Sequence, residues 1–178
     1  ISGDGSAQFD SGLMPPEMFV VLSHGELVLY REYWTQVSQA YQVKIDQAAV
    51  EPFVDPERGT IYVLRSHFDA AGMKIMKECD IPALPYRLLP ARESTDLWCL
   101  GVMLFTLCSD GRVLFPTNIK SRHLLEMSSS FAWDDAEASS QVYQHVGDEL
   151  ALDLILQLLS PYERRTQLTI RDVLNHPF

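Results

Sequence analysis

The longest apolar run in the chain covers residues 97–108, where every position except Gly101 and Thr106 is hydrophobic. Ser94 and Thr95, just before the run, are residue types that cap helix N-termini. No side of the helical wheel is polar, so the pattern predicts a helix that is buried on all sides. The run is too short to span a bilayer, and we therefore expect this helix at the centre of a protein core.

Amphipathic patterns predict further helices around this central one. Apolar residues recur at steps of three and four over residues 26–43, and leucines share one helical face over residues 150–159. Thr169 and Asp172 have the spacing of a capping box and predict another short helix. Two more short helices are predicted, over residues 69–78 and 118–128. The aromatic positions of the 26–43 pattern are Tyr30, Trp34 and Tyr41, which we expect to be core, with a docking surface as the alternative.

Turn and strand signals occur mainly in the first half of the chain. Pro15-Pro16 excludes helix before it, and Pro16 is suited to start a helical turn near Glu17. The Gly59 region predicts a turn, and the β-branched and aromatic run 60–65 predicts a strand after it. Prolines predict an extended approach to the central helix, at positions 82, 85 and 90.

Composition and charge narrow the class of protein. The chain has 178 residues, 47% of them hydrophobic and 21% charged, which favours an ordinary folded core over disorder. A formal net charge of -10 gives no electrostatic reason to bind nucleic acid or an anionic membrane. The same charge favours a partner protein with a basic surface region. The chain begins without Met and without a signal pattern, so we expect it to be cut from a longer protein.

The cysteines and histidines do not suggest a metal site. We expect the three cysteines, none of them in a C-x-x-C pair, to be reduced thiols, which is typical of an intracellular protein, cytosolic or nuclear. Of these two locations we expect the cytoplasm. The five histidines have no metal-ligand spacing with one another or with cysteine. We therefore expect no metal in this chain.

The central helix resembles a signature of the eukaryotic protein kinases. Residues 95–105 resemble the D-x-W-S-x-G-x-x-L-[YF] pattern of the long helix in the large lobe, with Asp96, Trp98 and Gly101 in place and Cys99 where the family has Ser. Residues 14–19 resemble the M-A-P-E-M-[FL] form of the A-P-E motif that closes the activation segment, with Pro15 in place of Ala.

The end of the chain resembles the closing pattern of the same family. Pro161 and Arg164 match its P-x-x-R, and His176-Pro177-Phe178 matches its H-P-F. In the family, the Glu of the A-P-E motif pairs with the Arg of this pattern, which predicts a pair between Glu17 and Arg164. The segment from Arg164 to His176 is a few residues longer than in the kinase family, so Arg165 stays open as the alternative partner of Glu17.

This resemblance implies a kinase-like fold and an inserted segment within it. The fold class is mostly α, a protein-kinase-like C-lobe fragment that covers residues 1–178. Glu17 and Asp96 lie far apart, whereas the family joins them by a short segment. We therefore expect an insertion over residues 20–85, between the A-P-E-like motif and the central helix.

The resemblance also implies roles for individual residues. Pro15, Pro16 and Glu17 would form a substrate-facing platform, which the pairing of Glu17 with an arginine would clamp to the closing helices. Asp96 would hold the backbone of the catalytic loop. Trp98 and Gly101 would pack the activation segment against the central helix. The expected structural anchors are thus Asp96, Trp98, Gly101, Arg164 and His176.

No catalytic, cofactor-binding or metal-binding residue is predicted in this chain. The family's Gly-rich loop, strand lysine, H-R-D loop and D-F-G segment are all missing from it. The parent would transfer phosphate from MgATP to the Ser or Thr hydroxyls of a protein substrate. The alternative is a non-catalytic, pseudokinase-type module in which the insertion binds a partner protein through Trp34 and Tyr41.

Overall fold

The structure is a computed structural model, and it describes residues 14–41, 51–55, 58–65, 67–68, 83–90, 92–115 and 133–178. Within these residues the chain is mostly helical with a few short strands, as predicted. The helices predicted over residues 69–78 and 118–128 lie outside the described residues.

The chain divides into two compact units. We call the first the inserted unit; it comprises residues 17–92 and 121–125. We call the second the helical unit; it comprises residues 1–16, 93–120 and 126–178.

The inserted unit contains a three-stranded antiparallel sheet and one long helix. A single 3₁₀ turn, Pro16–Met18, leads into it. The described elements are β1 (Phe19–Leu22), α1 (His24–Tyr41), β2 (Phe53–Val54), β3 (Ile61–Leu64), β4 (His67–Phe68) and β5 (Leu89–Pro90). Strand β3 is central in the sheet, and β1 and β2 pair with it on either side. A short parallel pair, β4 and β5, lies apart from this sheet.

Local sequence explains where these elements begin and turn. Helix α1 starts at His24, slightly before the predicted start, because Ser23 and Glu26 form a capping box in which the Glu26 carboxylate accepts from the Ser23 N–H at 2.8 Å. Gly59 has a φ of +65°, which a glycine adopts without a Cβ clash, and its N–H donates to the Asp55 carbonyl at 2.8 Å. The predicted turn and the predicted strand after it are confirmed.

The aromatic stripe of α1 forms the core of the inserted unit. Tyr30 is buried, stacks on Tyr86 at 6.3 Å between ring centroids, and meets Trp34 edge to face. Leu22, Ile61 and Val63 complete the buried cluster. Trp34 is partly buried and packs against this cluster, as the core prediction expects, while the docking alternative stays a prediction. The side chain of Tyr41 lies outside the described ones.

Burial of the Tyr30 hydroxyl should make the inserted unit sensitive to alkaline pH. Desolvation raises the pKa of Tyr30 to about 12, above the value of about 10 for a tyrosine in an unfolded chain. This contribution to stability is therefore complete below about pH 10 and is lost as the pH rises towards 12. Burial also raises the pKa of Tyr33 and of Tyr86 in the same unit. We expect urea unfolding, followed by circular dichroism between pH 8 and 11.5, to show falling stability, and Tyr30→Phe to remove part of that fall.

Tyr143→Phe is the matched control, since it removes a well exposed phenol of the helical unit. It should leave the pH dependence of unfolding as it is in the wild type. An equal slope for the wild type and Tyr30→Phe would contradict the assignment of the effect to Tyr30.

The helical unit is built from five described helices. They are α2 (Glu93–Cys108), α3 (Asp135–His145), α4 (Glu149–Leu158), α5 (Tyr162–Arg165) and α6 (Ile170–Leu174). Helix α2 packs against α4 and also contacts α5, while α3 packs against α4. Asp134 caps α3, Asp148 caps α4, and Thr169 with Asp172 forms the predicted capping box of α6.

Two expectations for the leucine-rich and apolar helices need correction. Helix α2 starts at Glu93, so neither Ser94 nor Thr95 is its N-cap, and Ser94 is buried inside the helix. Leu150, predicted on the apolar face of α4, is exposed because it lies in the first turn of the helix, before the packed segment.

Helix α2 is also not buried on all sides, contrary to the prediction. Met103 is 49% exposed and Leu107 is 78% exposed. Asp96 lies two turns before Met103 on the same side of the helix and is exposed as well. We call these three residues the open face of α2. None of the described helices combines the length and the apolar composition needed to cross a membrane.

Candidate functional site

The Pro-Pro-Glu segment has the local structure that its sequence predicts. Pro15 is buried, and Pro16 starts the 3₁₀ turn, where its fixed φ suits the first helical position. Met18, at the end of the turn, is buried, and β1 follows directly. The segment is therefore a defined turn with a half-buried Glu17 in its middle.

An arginine that the sequence analysis did not single out holds this turn. The Arg65 guanidinium donates from Nε and from Nη2 to the Glu17 carbonyl, at 3.1 and 2.6 Å. The Arg65 N–H donates to the Met18 carbonyl at 2.6 Å. The signal that could have found it is a single basic residue directly after an apolar strand, a weak signal because such residues are usually solvated.

Trp98 lies at the centre of the helical unit's core and is fully buried. Its ring stacks on Phe115, with centroids 6.0 Å apart, and meets Trp133 edge to face at 6.2 Å. The Trp133 indole N–H donates to the Leu159 carbonyl at 3.2 Å, which ties the aromatic cluster to the end of α4. These are packing contacts, and the role of Trp98 towards the activation segment stays a prediction.

Arg165, and not Arg164, is the buried arginine of the closing segment. Its side chain is fully buried, with the guanidinium carbon 4.8 Å from the centre of the Trp98 ring. Nε donates to the Ser94 carbonyl at 2.9 Å, and Nη1 donates to the Ser160 carbonyl at 2.5 Å. Arg165 thereby joins the start of α2 to the end of α4.

The prediction that Arg164 is a structural anchor is wrong. Its side chain is 59% exposed and forms an ion pair with Asp135, which is also largely exposed. A surface pair of this kind adds at most about 1 kcal/mol to stability. The P-x-x-R spacing selects Arg164 without taking into account which side of the short helix α5 faces the core, and the buried residue there is Arg165, which the sequence had left open. The pairing of Glu17 with one of the two arginines stays a prediction.

Gly101 permits the close approach of α2 and α4. A Cβ placed on it would lie 2.8 Å from Leu158 Cβ and 3.0 Å from Leu159 Cδ2. Distances under 3 Å are not tolerated without a shift of the neighbouring helix, so the absence of a side chain here is a packing requirement. The contact that the structure describes for Gly101 is with α4, and its predicted packing of the activation segment stays a prediction.

His176 anchors the end of the chain to α4. Its Nε2 lies 3.0 Å from Asp153 Oδ2, and its Nδ1 accepts from the Phe178 N–H at 3.2 Å. Both partners are on or near the closing helices, so the H-P-F-like tripeptide is held by its histidine. The anchoring role that the kinase resemblance gives to His176 stays a prediction.

Asp96 is placed differently from the other predicted anchors. It lies in the first turn of α2, where a carboxylate is favoured by the helix dipole, and its side chain is exposed. Among the described residues it accepts no hydrogen bond and joins no ion pair. Its carboxylate is therefore accessible to a group outside them.

The described residues hold no group of His, Cys, Asp and Glu side chains that could bind a metal ion. The acidic sequence before α3 is accounted for locally, because Asp134 accepts from two N–H groups of the helix at 2.9 Å and Asp135 pairs with Arg164. The described residues offer a turn held by Arg65 in the inserted unit and, described by itself, an aromatic core with a buried arginine in the helical unit. Comparisons with protein-family models, with curated proteins and with solved structures find no match to this chain.

Proposed function

We propose that this chain is the large-lobe portion of a eukaryotic-type protein kinase domain. The parent protein would transfer phosphate from MgATP to Ser or Thr hydroxyls of a protein substrate. This portion supplies the scaffold and, through Pro15, Pro16 and Glu17, the substrate platform. It contributes no group that binds ATP or takes part in the chemistry.

The open face of α2 is the observation that carries this proposal. Burying a large aliphatic side chain is worth about 1.5–3 kcal/mol, so the exposure of Met103 and Leu107 on an otherwise apolar helix favours a further covering segment. Asp96 adds an exposed carboxylate at one end of the same face. An apolar strip with an acceptor at one end suits a covering segment whose backbone N–H groups meet Asp96, the role that the kinase resemblance gives to the catalytic loop.

The buried arrangement around Arg165 supports the same proposal. The kinase resemblance requires an arginine in the closing segment that is held within the lobe. Arg165, on Trp98 and between Ser94 and Ser160, is such a residue. If both Arg164 and Arg165 were exposed to solvent, the closing segment would not support the proposal.

Oxidative footprinting can test whether the open face is covered in the native protein. We expect hydroxyl radicals to oxidise Met103 readily in the isolated chain and about tenfold more slowly in the native protein, because the parent's upstream residues cover it. Met18, buried in this chain, is the protected control, and Tyr143 is the exposed control whose oxidation should not change. Equal oxidation of Met103 in both samples would contradict the proposal.

A pseudokinase-type interaction module is the second candidate function. It is favoured by the inserted residues forming a compact unit of their own, with the apolar side chains Val28 and Leu29 exposed on α1. Incubation of the native protein with MgATP and protein substrates distinguishes the two candidates. Phosphotransfer supports the kinase, whereas partner capture that is lost in Val28→Ser with Leu29→Ser, without nucleotide turnover, supports the module.

A further inference from the structure

Glu17 and Met18, the first residues of the inserted unit, are connected to the rest of that unit by more than the chain itself. Strands β1 and β3 pair in register from Phe19 opposite Leu64 to Leu22 opposite Ile61. The bond from the Arg65 N–H to the Met18 carbonyl, at 2.6 Å, continues this ladder beyond the strand into the turn. The backbone of the turn therefore forms part of the inserted unit's hydrogen-bond network.

The Arg65 side chain then fixes the next peptide group. Two of its N–H groups converge on the Glu17 carbonyl, and Nη1 reaches the Arg87 carbonyl at 3.4 Å before β5. Hydrogen bonds from a charged donor are stronger than neutral ones, and a planar guanidinium fixes their direction. Holding the Glu17 carbonyl sets the plane of the peptide between Glu17 and Met18, and with it the direction in which the Glu17 side chain leaves the backbone.

We propose that Arg65 is a positioning residue through which the inserted unit controls the conformation of the Pro-Pro-Glu turn. Through the Arg65 guanidinium, the residues at the end of β3 and before β5 fix the Glu17 carbonyl. The statement that this turn is a substrate platform rests on the proposed function; the conformational control does not.

Hydrogen exchange measured by mass spectrometry on the whole chain tests this control. In Arg65→Gln we expect the amides of residues 17–22 to exchange about tenfold faster, which is the loss of a charged hydrogen bond expressed as a rate. Arg65→Lys keeps the positive charge but not the planar guanidinium with its several N–H donors. We therefore expect the amides of residues 17–22 to be better protected in Arg65→Lys than in Arg65→Gln. Residues 27–37 of α1 should exchange at the wild-type rate in both variants.

Arg58→Gln is the matched control, because it removes an exposed arginine from the turn before β3. It should leave residues 17–22 protected. Unchanged exchange in Arg65→Gln would overturn the proposal, and so would an equal acceleration over α1, since Arg65 would then only stabilise the unit as a whole.

The effect of Arg65 on substrate binding is measured separately, by phosphotransfer kinetics of the native protein. If the parent phosphorylates proteins, Arg65→Gln should raise KM for the protein substrate severalfold and leave KM for ATP unchanged. A local change in exchange without any phosphotransfer by the wild type would refute the proposed function alone. An active parent whose KM for protein does not respond to Arg65→Gln would overturn the role of Arg65 in positioning the platform.

Discussion

Arg165→Ala is expected to lower the free energy of unfolding of the helical unit by about 3–5 kcal/mol, because the substitution empties a fully buried site. The Ser94 and Ser160 carbonyls lose a charged donor, and the Trp98 ring loses the cation that lies over it. The expected result is a large shift in urea or thermal unfolding followed by circular dichroism.

Arg164→Ala is the control for this prediction, since it changes the same residue type one position away. Arg164 is largely exposed and pairs only with an exposed carboxylate among the described residues, so we expect a loss of less than about 1 kcal/mol. Arg165→Lys provides a measurable intermediate if the alanine variant does not fold, because lysine keeps the charge but not the planar fork. Equal losses for the two alanine variants, or a larger loss at Arg164, would contradict the assignment.

Gly101→Ala is expected to destabilise the helical unit by about 2 kcal/mol, although alanine is the better helix former by about 1 kcal/mol. The added Cβ would lie 2.8 Å from Leu158 Cβ, an atom that is fixed to the backbone of α4 and cannot rotate away. The two helices must then separate, which loosens the contacts of Leu158 and Leu159. Urea unfolding of the variant against the wild type measures the change.

Gly25→Ala separates packing from helix propensity. Gly25 lies in the first turn of α1, and no atom lies within 4 Å of the position of its Cβ. We expect this variant to be as stable as the wild type or more stable by up to about 1 kcal/mol. A stabilising effect of Gly101→Ala similar to that of Gly25→Ala would show that α2 and α4 are not closely packed.

The elements that follow from local pattern could be predicted from the sequence. The α1 helix, the strand at 61–64, the Thr169 cap and the turn at Pro16 all depend on spacing and residue type within a few positions. Motif spacing also selected Trp98, Gly101 and His176, whose packing contacts the structure describes and whose kinase roles stay predictions.

The remaining features depend on which side of an element faces the core, and the sequence does not determine that. In the four-residue helix α5, adjacent arginines point to opposite environments, and spacing alone chose the exposed one. The wholly apolar pattern of α2 concealed an exposed side, since hydrophobic residues can also lie at surfaces that another segment covers. Arg65 could not be predicted because its partners are backbone carbonyls, which every residue has and which no sequence motif marks.

Peptide mapping of the native protein by mass spectrometry, which reads the residues upstream of Ile1, tests the central proposal most directly. A kinase-like domain predicts a segment there with a strand lysine, an H-R-D-type loop and a D-F-G-type segment. The same elements with those residues replaced would favour the pseudokinase-type module. A native protein with no kinase-like sequence before this chain would contradict the proposal, and the open face of α2 would then need another explanation.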